Sequence, residues 1–307
     1  MILGDEVVAK LLQDAVFAAI SASKKVREIY DSGDFGVNLK SDSTPLTKAD
    51  KISDSEIREQ LLHTYIPLMS EEGRLIHYEE RANWSLYWLV DPIDGTKEFI
   101  KVNGEFTVNI ALIEEENPII GVICLPSTET LYLAARSVGS YKIASRALSE
   151  IKDRDDCSVE KLLSKALRLP LPDEAEHRYT VVSSRSHLAP EMASYLEKIK
   201  VLHPDMLPPI PQGSSKKFCM VAEGSADLYP RITATSEWDT AAGQAICEFA
   251  DCMVVTMEEK PKRLTYNKEE MVNPSFIVIR VPQNKHAENS NNYIPEEAKL
   301  LKRDEEA

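Results

Sequence analysis

The chain has 307 residues, 43% of them hydrophobic and 28% charged, a globular composition long enough for one or two packed domains with a large core. A formal net charge of −14 repels polyanions, which argues against a basic-groove nucleic-acid binder and against a binder of anionic lipid. An acidic protein can still take an anionic substrate when bound cations mediate the contact.

Five cysteines, an odd number with no CxxC pair, fit neither a zinc site nor a disulfide framework and read as free thiols in a reducing cytosol. The N-terminus lacks a basic region before an apolar run, and no stretch approaches the ~20 apolar residues of a membrane span. These features predict a cytoplasmic protein without signal peptide or integral membrane segment.

Taken in chain order, residues Asp5 to Tyr30 carry Val8, Leu11, Leu12, Ala15, Ala18, Ala19, Ala22 and Val26 at helical spacing, which predicts a long amphipathic helix. A turn follows at 31–36, then a helix from about Ala49 to Tyr65, ended by Pro67. Ile66 to Met69 is a short apolar run leading into Ser70-Glu71-Glu72-Gly73. Leu86 to Val90 reads as a buried strand feeding Asp91-Pro92-Ile93-Asp94-Gly95-Thr96. Strands are expected at Phe106–Ile113, Ile119–Leu125, Leu131–Ala135 and Ser140–Ile143.

Residues 146–177 are charged and contain prolines, with a helical stretch at Ser158–Leu167, and read as a connector or insertion. Beyond it come a strand from Tyr179, a helix from Ala189 to Ile199, and helices at Ser215–Ala222 and Thr240–Phe249. The last strand falls at Phe276–Val281. The division is therefore 1–145 as a first α+β subdomain, 146–177 as connector, 178–282 as a second α/β subdomain, and 283–307 as a polar, loosely held tail.

The chemistry concentrates in Asp91-Pro-Ile-Asp-Gly-Thr. Two carboxylates three residues apart close a buried strand, Pro92 fixes one backbone angle and Gly95 permits a sharp turn. Such a turn aims both carboxylates at one point and frees the Ile93 carbonyl, an oxygen-only set that suits a hard divalent cation. Glu71, Asp50 and Asp239 are the acidic residues able to join them, and five converging carboxylates would hold two or three ions. Each element alone has a plainer reading. A DxxD pair also makes a turn, Asp239 alone an N-cap, and Glu71-Glu72 alone a solvated loop.

The three elements together resemble the lithium-sensitive, magnesium-dependent phosphatases of the inositol monophosphatase superfamily. That superfamily is marked by a Glu-Glu element, then D-P-[IL]-D-G-T, then W-D-x-A-A or W-D-x-A-G. Glu71-Glu72, Asp91 to Thr96 and Trp238-Asp-Thr-Ala-Ala stand here in that order, and the likeness runs from about residue 5 to 282. Asp91 to Lys101, Asn103 to Ile113, Ser184-Arg-Ser-His, Gly213-Ser-Ser-Lys-Lys and Ala222 to Arg231 are similar to its 3'(2'),5'-bisphosphate nucleotidase branch, the CysQ type.

The resemblance implies a layered α/β (α+β) fold of alternating helices and sheets with the site between two subdomains. It implies that Glu71, Asp91, Asp94, Asp239 and the Ile93 carbonyl hold two or three Mg²⁺ ions. Asp50 and Thr96 would orient and deprotonate an attacking water, with Glu71 counted beside them as catalytic. Gly95 and Thr96 N–H groups would hold phosphate oxygens, and Ser184, His187, Gly213, Ser214, Lys217 and Arg231 would contact the nucleotide.

The implied reaction is removal of the 3'-phosphate of adenosine 3',5'-bisphosphate, and of its sulfated form, by in-line attack of a metal-activated water, as part of sulfur metabolism. An inositol phosphatase and a non-catalytic metal-dependent nucleotide sensor are the alternatives. The expected partner is a small nucleotide bisphosphate, with the protein a monomer or homodimer. The sequence departs from the family where Ala250-Asp251 follows the second-half helix, and where Glu259-Lys-Pro-Lys-Arg-Leu replaces its usual G-K-P-L turn.

Overall fold

The computed structural model describes residues 2–40, 44–172, 177–185, 190–281 and 294–302. Its backbone is a seven-stranded sheet in the order Leu68–Ser70, Leu86–Asp94, Thr107–Glu114, Asn117–Leu125, Thr130–Ala135, Gly139–Ile143 and Leu167–Arg168. The first pair is parallel and the rest are antiparallel. The central strands read as continuous apolar runs because both faces of the sheet are covered.

Strand periodicity divides those runs between two cores. Trp88, Val90, Val108, Ile110, Leu112 and Val122 face the helix Asp5–Ser32 and the helix Lys48–Leu61. Tyr87, Leu89, Ala111, Ile113 and Ile123 face the helices Lys216–Glu223 and Glu237–Glu248 on the other side. Gly121 permits that second contact, since a Cβ there would lie 2.3 Å from the Ala242 carbonyl oxygen.

Behind these two helices stands a three-stranded antiparallel sheet in the order Leu228–Arg231, Phe276–Arg280, Cys252–Thr256. Its inner face joins the second core through Tyr229, Val254, Phe276 and Val278. Its outer face joins a third core with Met192, Tyr195 and Ile199 of the helix Pro190–Leu202. The result is five layers, helix–sheet–helix–sheet–helix, as the layered α/β expectation requires.

Leu228–Arg231 and Cys252–Thr256 are strands that the sequence reading lacks, and other stretches differ from it as well. Within 146–177, the turns Ser145–Leu148, Arg154–Cys157 and Val159–Leu163 bury Leu148, Cys157 and Leu162 in the first core, and Leu167–Arg168 supplies the seventh strand. Residues 146–168 therefore pack with the first half, whereas Leu169 buries in the second core and the Leu171 N–H donates to the Glu223 carbonyl at 3.1 Å. The helix is shorter than expected because residues 167–168 pair with Tyr141 and Lys142. Residues 294–302 are docked rather than loose. Ala298 and Leu300 bury in the third core, and the Tyr195 hydroxyl donates to the Glu297 carbonyl at 3.0 Å. The second-half strand expected from Tyr179 occupies Val182–Ser184, paired in parallel with Ile210–Gln212.

Candidate active site

The site forms where the strand Leu86–Asp94 ends. The ladder with Thr107–Glu114 breaks between Asp91 and Asp94, so the extra residues of Asp-Pro-Ile-Asp arch out of the sheet. Gly95 follows at φ +95°, a conformation that L side chains rarely adopt, and opens the short helix Thr96–Ile100. Next to this strand, Glu71 leaves the parallel strand Leu68–Ser70, and its N–H donates to the Val90 carbonyl at 3.2 Å. That bond brings Glu71 alongside Asp91. Asp239 enters from the second half as the third residue of the helix Glu237–Glu248, in a capping box with Ser236 whose N–H donates to its Oδ2 at 2.8 Å.

Carboxylate oxygens of Glu71, Asp91 and Asp239 lie within 4.8 Å of one another. Asp91 is 1% exposed, and its Oδ2 finds no hydrogen-bond partner among the described residues. Burial, with Glu71 and Asp94 as charged neighbours, raises the Asp91 carboxyl well above its ordinary value. Desolvation at the cleft base, together with the same kind of neighbours, pushes Asp239 up to about 8. A buried orphan oxygen beside mutually repelling carboxylates fits a hard divalent cation, which would take the place of the protons. Asp94 lines the same cavity, with its Oδ2 accepting from Ser215 Oγ at 2.6 Å.

Asp50 is also an N-terminal helix residue, the third of Lys48–Leu61 in a capping box with Thr47. Thr47 donates to its Oδ2 from both N (2.7 Å) and Oγ1 (2.6 Å), leaving Oδ1 to accept from the Thr96 hydroxyl at 3.1 Å. Burial raises its pKa even though these bonds favour the ionised form. The Thr96 hydroxyl is also 3.3 Å from the Ile93 carbonyl, so the pair Asp50–Thr96 adjoins the Asp91–Asp94 arch.

The same cavity, about 230 Å³ in volume, is also lined by basic groups, which lie within electrostatic reach of Asp94 and Asp239. Lys217 is buried, donates to the Ser214 carbonyl and stands 5.1 Å over the Tyr229 ring; burial pushes its ammonium down to about 8. Arg231 is fixed by the Thr233 carbonyl (3.1 Å), the Ala234 carbonyl (3.3 Å) and the Ser184 hydroxyl. The Gly213 N–H donates to Glu105 Oε2 at 2.7 Å, and Arg185 Nε reaches the same oxygen at 2.8 Å.

The sequence-derived residues Glu71, Asp94, Gly95, Thr96, Ser184, Gly213, Ser214, Lys217, Arg231 and Asp239 all line this cavity. Asp91, Ile93 and Asp50 lie behind its acidic wall. His187 lies outside the described residues. Three residues escaped the sequence reading. Lys40 donates to Glu71 Oε1 at 2.7 Å and also pairs with Glu72; burial opposes its charge, but the two glutamates hold its pKa above the ordinary lysine value. Glu105 ties the Gly213 turn to Arg185, and Ser215 bonds to Asp94. Ser215 and Glu105 fall inside stretches that matched a family pattern. Nothing in their spacing distinguishes them from neighbours such as Ser214.

The profile of the inositol monophosphatase family matches residues 8–296. A curated Shigella flexneri protein, 3'(2'),5'-bisphosphate nucleotidase CysQ, is 39% identical over 272 residues, covering 87% of this chain and 99% of the relative. The Haemophilus influenzae protein of the same name is 32% identical over 275 residues, covering 88% and 92%. Among solved structures, CysQ from Bacteroides thetaiotaomicron, described as a bacterial member of the inositol monophosphatase family, aligns with a TM-score of 0.78 at 42% identity, covering 88% of this chain and 96% of that one. The extragenic suppressor protein suhB of Bartonella henselae shares the fold at 20% identity and a TM-score of 0.65. The chain belongs to the inositol monophosphatase family.

Proposed function

We propose, from that membership, that the chain is a magnesium-dependent phosphomonoesterase that removes the 3'-phosphate of adenosine 3',5'-bisphosphate, giving AMP and phosphate. The observation that carries this substrate is the mixed lining of one cleft. Glu71, Asp94 and Asp239 line it together with Lys217 and Arg231. A substrate with one phosphate to be cleaved and a second to be held needs both the carboxylates with their cations and the basic side chains, whereas a monophosphate needs the carboxylates alone. The relatives named as 3'(2'),5'-bisphosphate nucleotidases support the same choice.

Glu71, Asp91, Asp94, Asp239 and the Ile93 carbonyl are the oxygen set assigned to two or three Mg²⁺ ions. When bound, such ions lower the pKa of water and offset the charge of the scissile phosphate. The chain's own groups do the rest. The Thr96 hydroxyl, donating to Asp50 Oδ1, orients the attacking water, and Asp50 takes up its proton through that hydroxyl. Gly95 and Thr96 N–H groups, at the opening of the helix Thr96–Ile100, bind phosphate oxygens. Lys217 and Arg231 pair with the remaining 5'-phosphate, with Ser184, His187, Gly213 and Ser214 around the nucleoside. On this reading, residues 1–145 supply most of the catalytic wall and 178–282 most of the recognition wall.

No helix of the described residues is long and apolar enough to cross a membrane. All five cysteines are buried free thiols, which is the support for a reducing, cytoplasmic setting. The deciding measurement is phosphate release from adenosine 3',5'-bisphosphate against inositol 1-phosphate, in Mg²⁺ and in EDTA. Preference for the nucleotide, abolished by EDTA, is expected. Preference for the inositol ester would overturn the roles given to Lys217 and Arg231. Nucleotide binding without release from either would overturn the enzyme reading in favour of a sensor.

A further inference from the structure

Ser215 stands at the N-cap position of the helix Lys216–Glu223, where a serine hydroxyl ordinarily accepts a bond from the first turn, yet it makes no side-chain capping bond. Its hydroxyl is spent elsewhere, in an interior only 2% exposed. Asn109 Nδ2 donates to Ser215 Oγ at 2.9 Å, and Ser215 Oγ lies 2.6 Å from Asp94 Oδ2 and 2.9 Å from the Asp239 carbonyl oxygen. Four elements meet at this one oxygen: the end of strand Leu86–Asp94, strand Thr107–Glu114, the head of helix Lys216–Glu223 and the first turn of helix Glu237–Glu248.

We infer that Ser215 is a positioning residue for the cation site, its single proton turned by Asn109 toward Asp94 and shared with the Asp239 carbonyl, so that Asp94 and Asp239 from opposite halves are held in one geometry. Proton counting carries the argument. A serine hydroxyl has one proton to give and two lone pairs, and a side-chain amide nitrogen only donates. With Asn109 donating, the Ser215 proton is free to point at Asp94 and the Asp239 carbonyl. With the Asn109 amide reversed, its oxygen would claim that proton, and Asp94 Oδ2 would face an oxygen at 2.6 Å with no hydrogen between them. Only the first arrangement satisfies the contact. Asn109 sits directly across the ladder from Asp91, so the relay is anchored on the strand that also borders the orphan carboxylate. Partners of this kind orient ligating carboxylates and tune ion affinity without touching the ion.

The inference rests on the assignment of Asp94 and Asp239 as cation ligands, and its test separates the two. EDTA-stripped protein without substrate is titrated with Mg²⁺ while its melting temperature is followed. The wild-type chain should melt higher as Mg²⁺ rises, and no response at all would overturn the ligand assignment and this inference together. Given that response, Ser215→Ala should raise the half-saturating Mg²⁺ about tenfold or more, with the EDTA melting temperature little changed. Ser215→Thr, which keeps the hydroxyl, should titrate close to wild type. Ser215→Ala titrating like the wild type would overturn the inference alone. Should Ser215→Ala fail to fold, Asn109→Ala decides: it frees the hydroxyl to turn away, so the half-saturating Mg²⁺ should rise by a smaller factor, and an unchanged value would overturn the relay.

Discussion

The cleft's acidic end, meaning its carboxylates, and its basic end, meaning Lys217 and Arg231, are held in different ways. At the acidic end, the Asp91, Asp94, Glu71 and Asp239 charges raise one another's cost, and Asp91 Oδ2 is left without a partner among the described residues. At the basic end, Arg231 is fixed by two carbonyls and the Ser184 hydroxyl, and Lys217 by the Ser214 carbonyl and the Tyr229 ring. On the proposed function, the acidic end holds protons or a divalent cation, while the basic end is positioned for an anion. Ion dependence then belongs to the first and substrate choice to the second, because mutual repulsion is relieved by a proton or a counter-charge, whereas cations fixed by their neighbours discriminate by where they already stand.

The sharpest way to break this comparison is Asp94→Asn. It removes one charge from the acidic end while preserving shape, and turnover should fall by ~10²-fold or more, the scale of losing one pre-organised electrostatic group. Circular dichroism should show the fold intact. Near-normal Mg²⁺-dependent phosphate release would mean that the acidic end is not the catalytic one.

Next in size are substitutions of the basic end. Lys217→Met and Arg231→Met should each raise KM for adenosine 3',5'-bisphosphate by roughly tenfold, the worth of one charge-assisted hydrogen bond. KM for a monophosphate should change far less. Equal losses on both substrates, read from parallel steady-state curves, would show that these cations support the whole cleft instead of selecting within it.

A pH series distinguishes the ends without mutation. A carboxyl whose folded pKa is raised keeps a proton that the unfolded chain has lost, so its contribution to stability falls as pH rises from the unfolded value through the folded one. For Asp239 that window ends at about 8, and Asp91 shifts in the same direction. In EDTA the protein should therefore melt lower at pH 8 than at pH 6, and Mg²⁺ should restore more at pH 8. A difference of at least about 2 °C is expected in calorimetry, the shift that accompanies roughly 1 kcal/mol in a chain of this size. A Mg²⁺ effect independent of pH would contradict the proton-for-cation exchange.

The smallest expected effect tests how the two ends are joined. Glu105→Gln leaves an acceptor for the Gly213 N–H but removes the charge that pairs with Arg185. KM for the nucleotide should rise about twofold to fivefold, the measure of a partly exposed ion pair, with kcat nearly unchanged. A fall in kcat at constant KM would place Glu105 with the catalytic groups.

Much of this was legible beforehand. The run Leu86–Val90 ends in the carboxylates of Asp-Pro-Ile-Asp-Gly-Thr, and it was their combination with Glu71-Glu72 and Trp238-Asp239 that set them apart from an ordinary turn. The helical spacing from Asp5 and the apolar runs between Phe106 and Ile143 were equally plain, since a 3.6-residue period marks one buried face and an unbroken apolar run marks a strand covered on both faces. The strands Leu228–Arg231 and Cys252–Thr256 were not read as strands, because they are short and one contains Pro230. Residues 294–302 dock through Ala298 and Leu300 and through bonds from Tyr195 and Lys198 to the Glu297 and Leu300 carbonyls, partners about a hundred residues away that composition does not reveal. Lys40, Glu105 and Ser215 escaped because their partners lie 31, 80 to 108 and 121 residues away.

The sequence by itself determined the residues to which the chemistry is assigned: Asp91 to Thr96 supply oxygen ligands and a glycine turn of the kind a hard cation needs, and the resemblance to the family motifs adds Glu71, Asp50, Asp239 and the nucleotide contacts. Tertiary structure alone decided how those residues meet. It set Glu71 beside Asp91 through a parallel strand pair, brought Asp239 across from the second half on a capped helix, and turned the Ser215 hydroxyl from its own helix to Asp94. Each of these depends on the distance and direction between groups far apart in the chain, which composition and spacing do not encode and which only the packing of the helices against both faces of the sheet fixes.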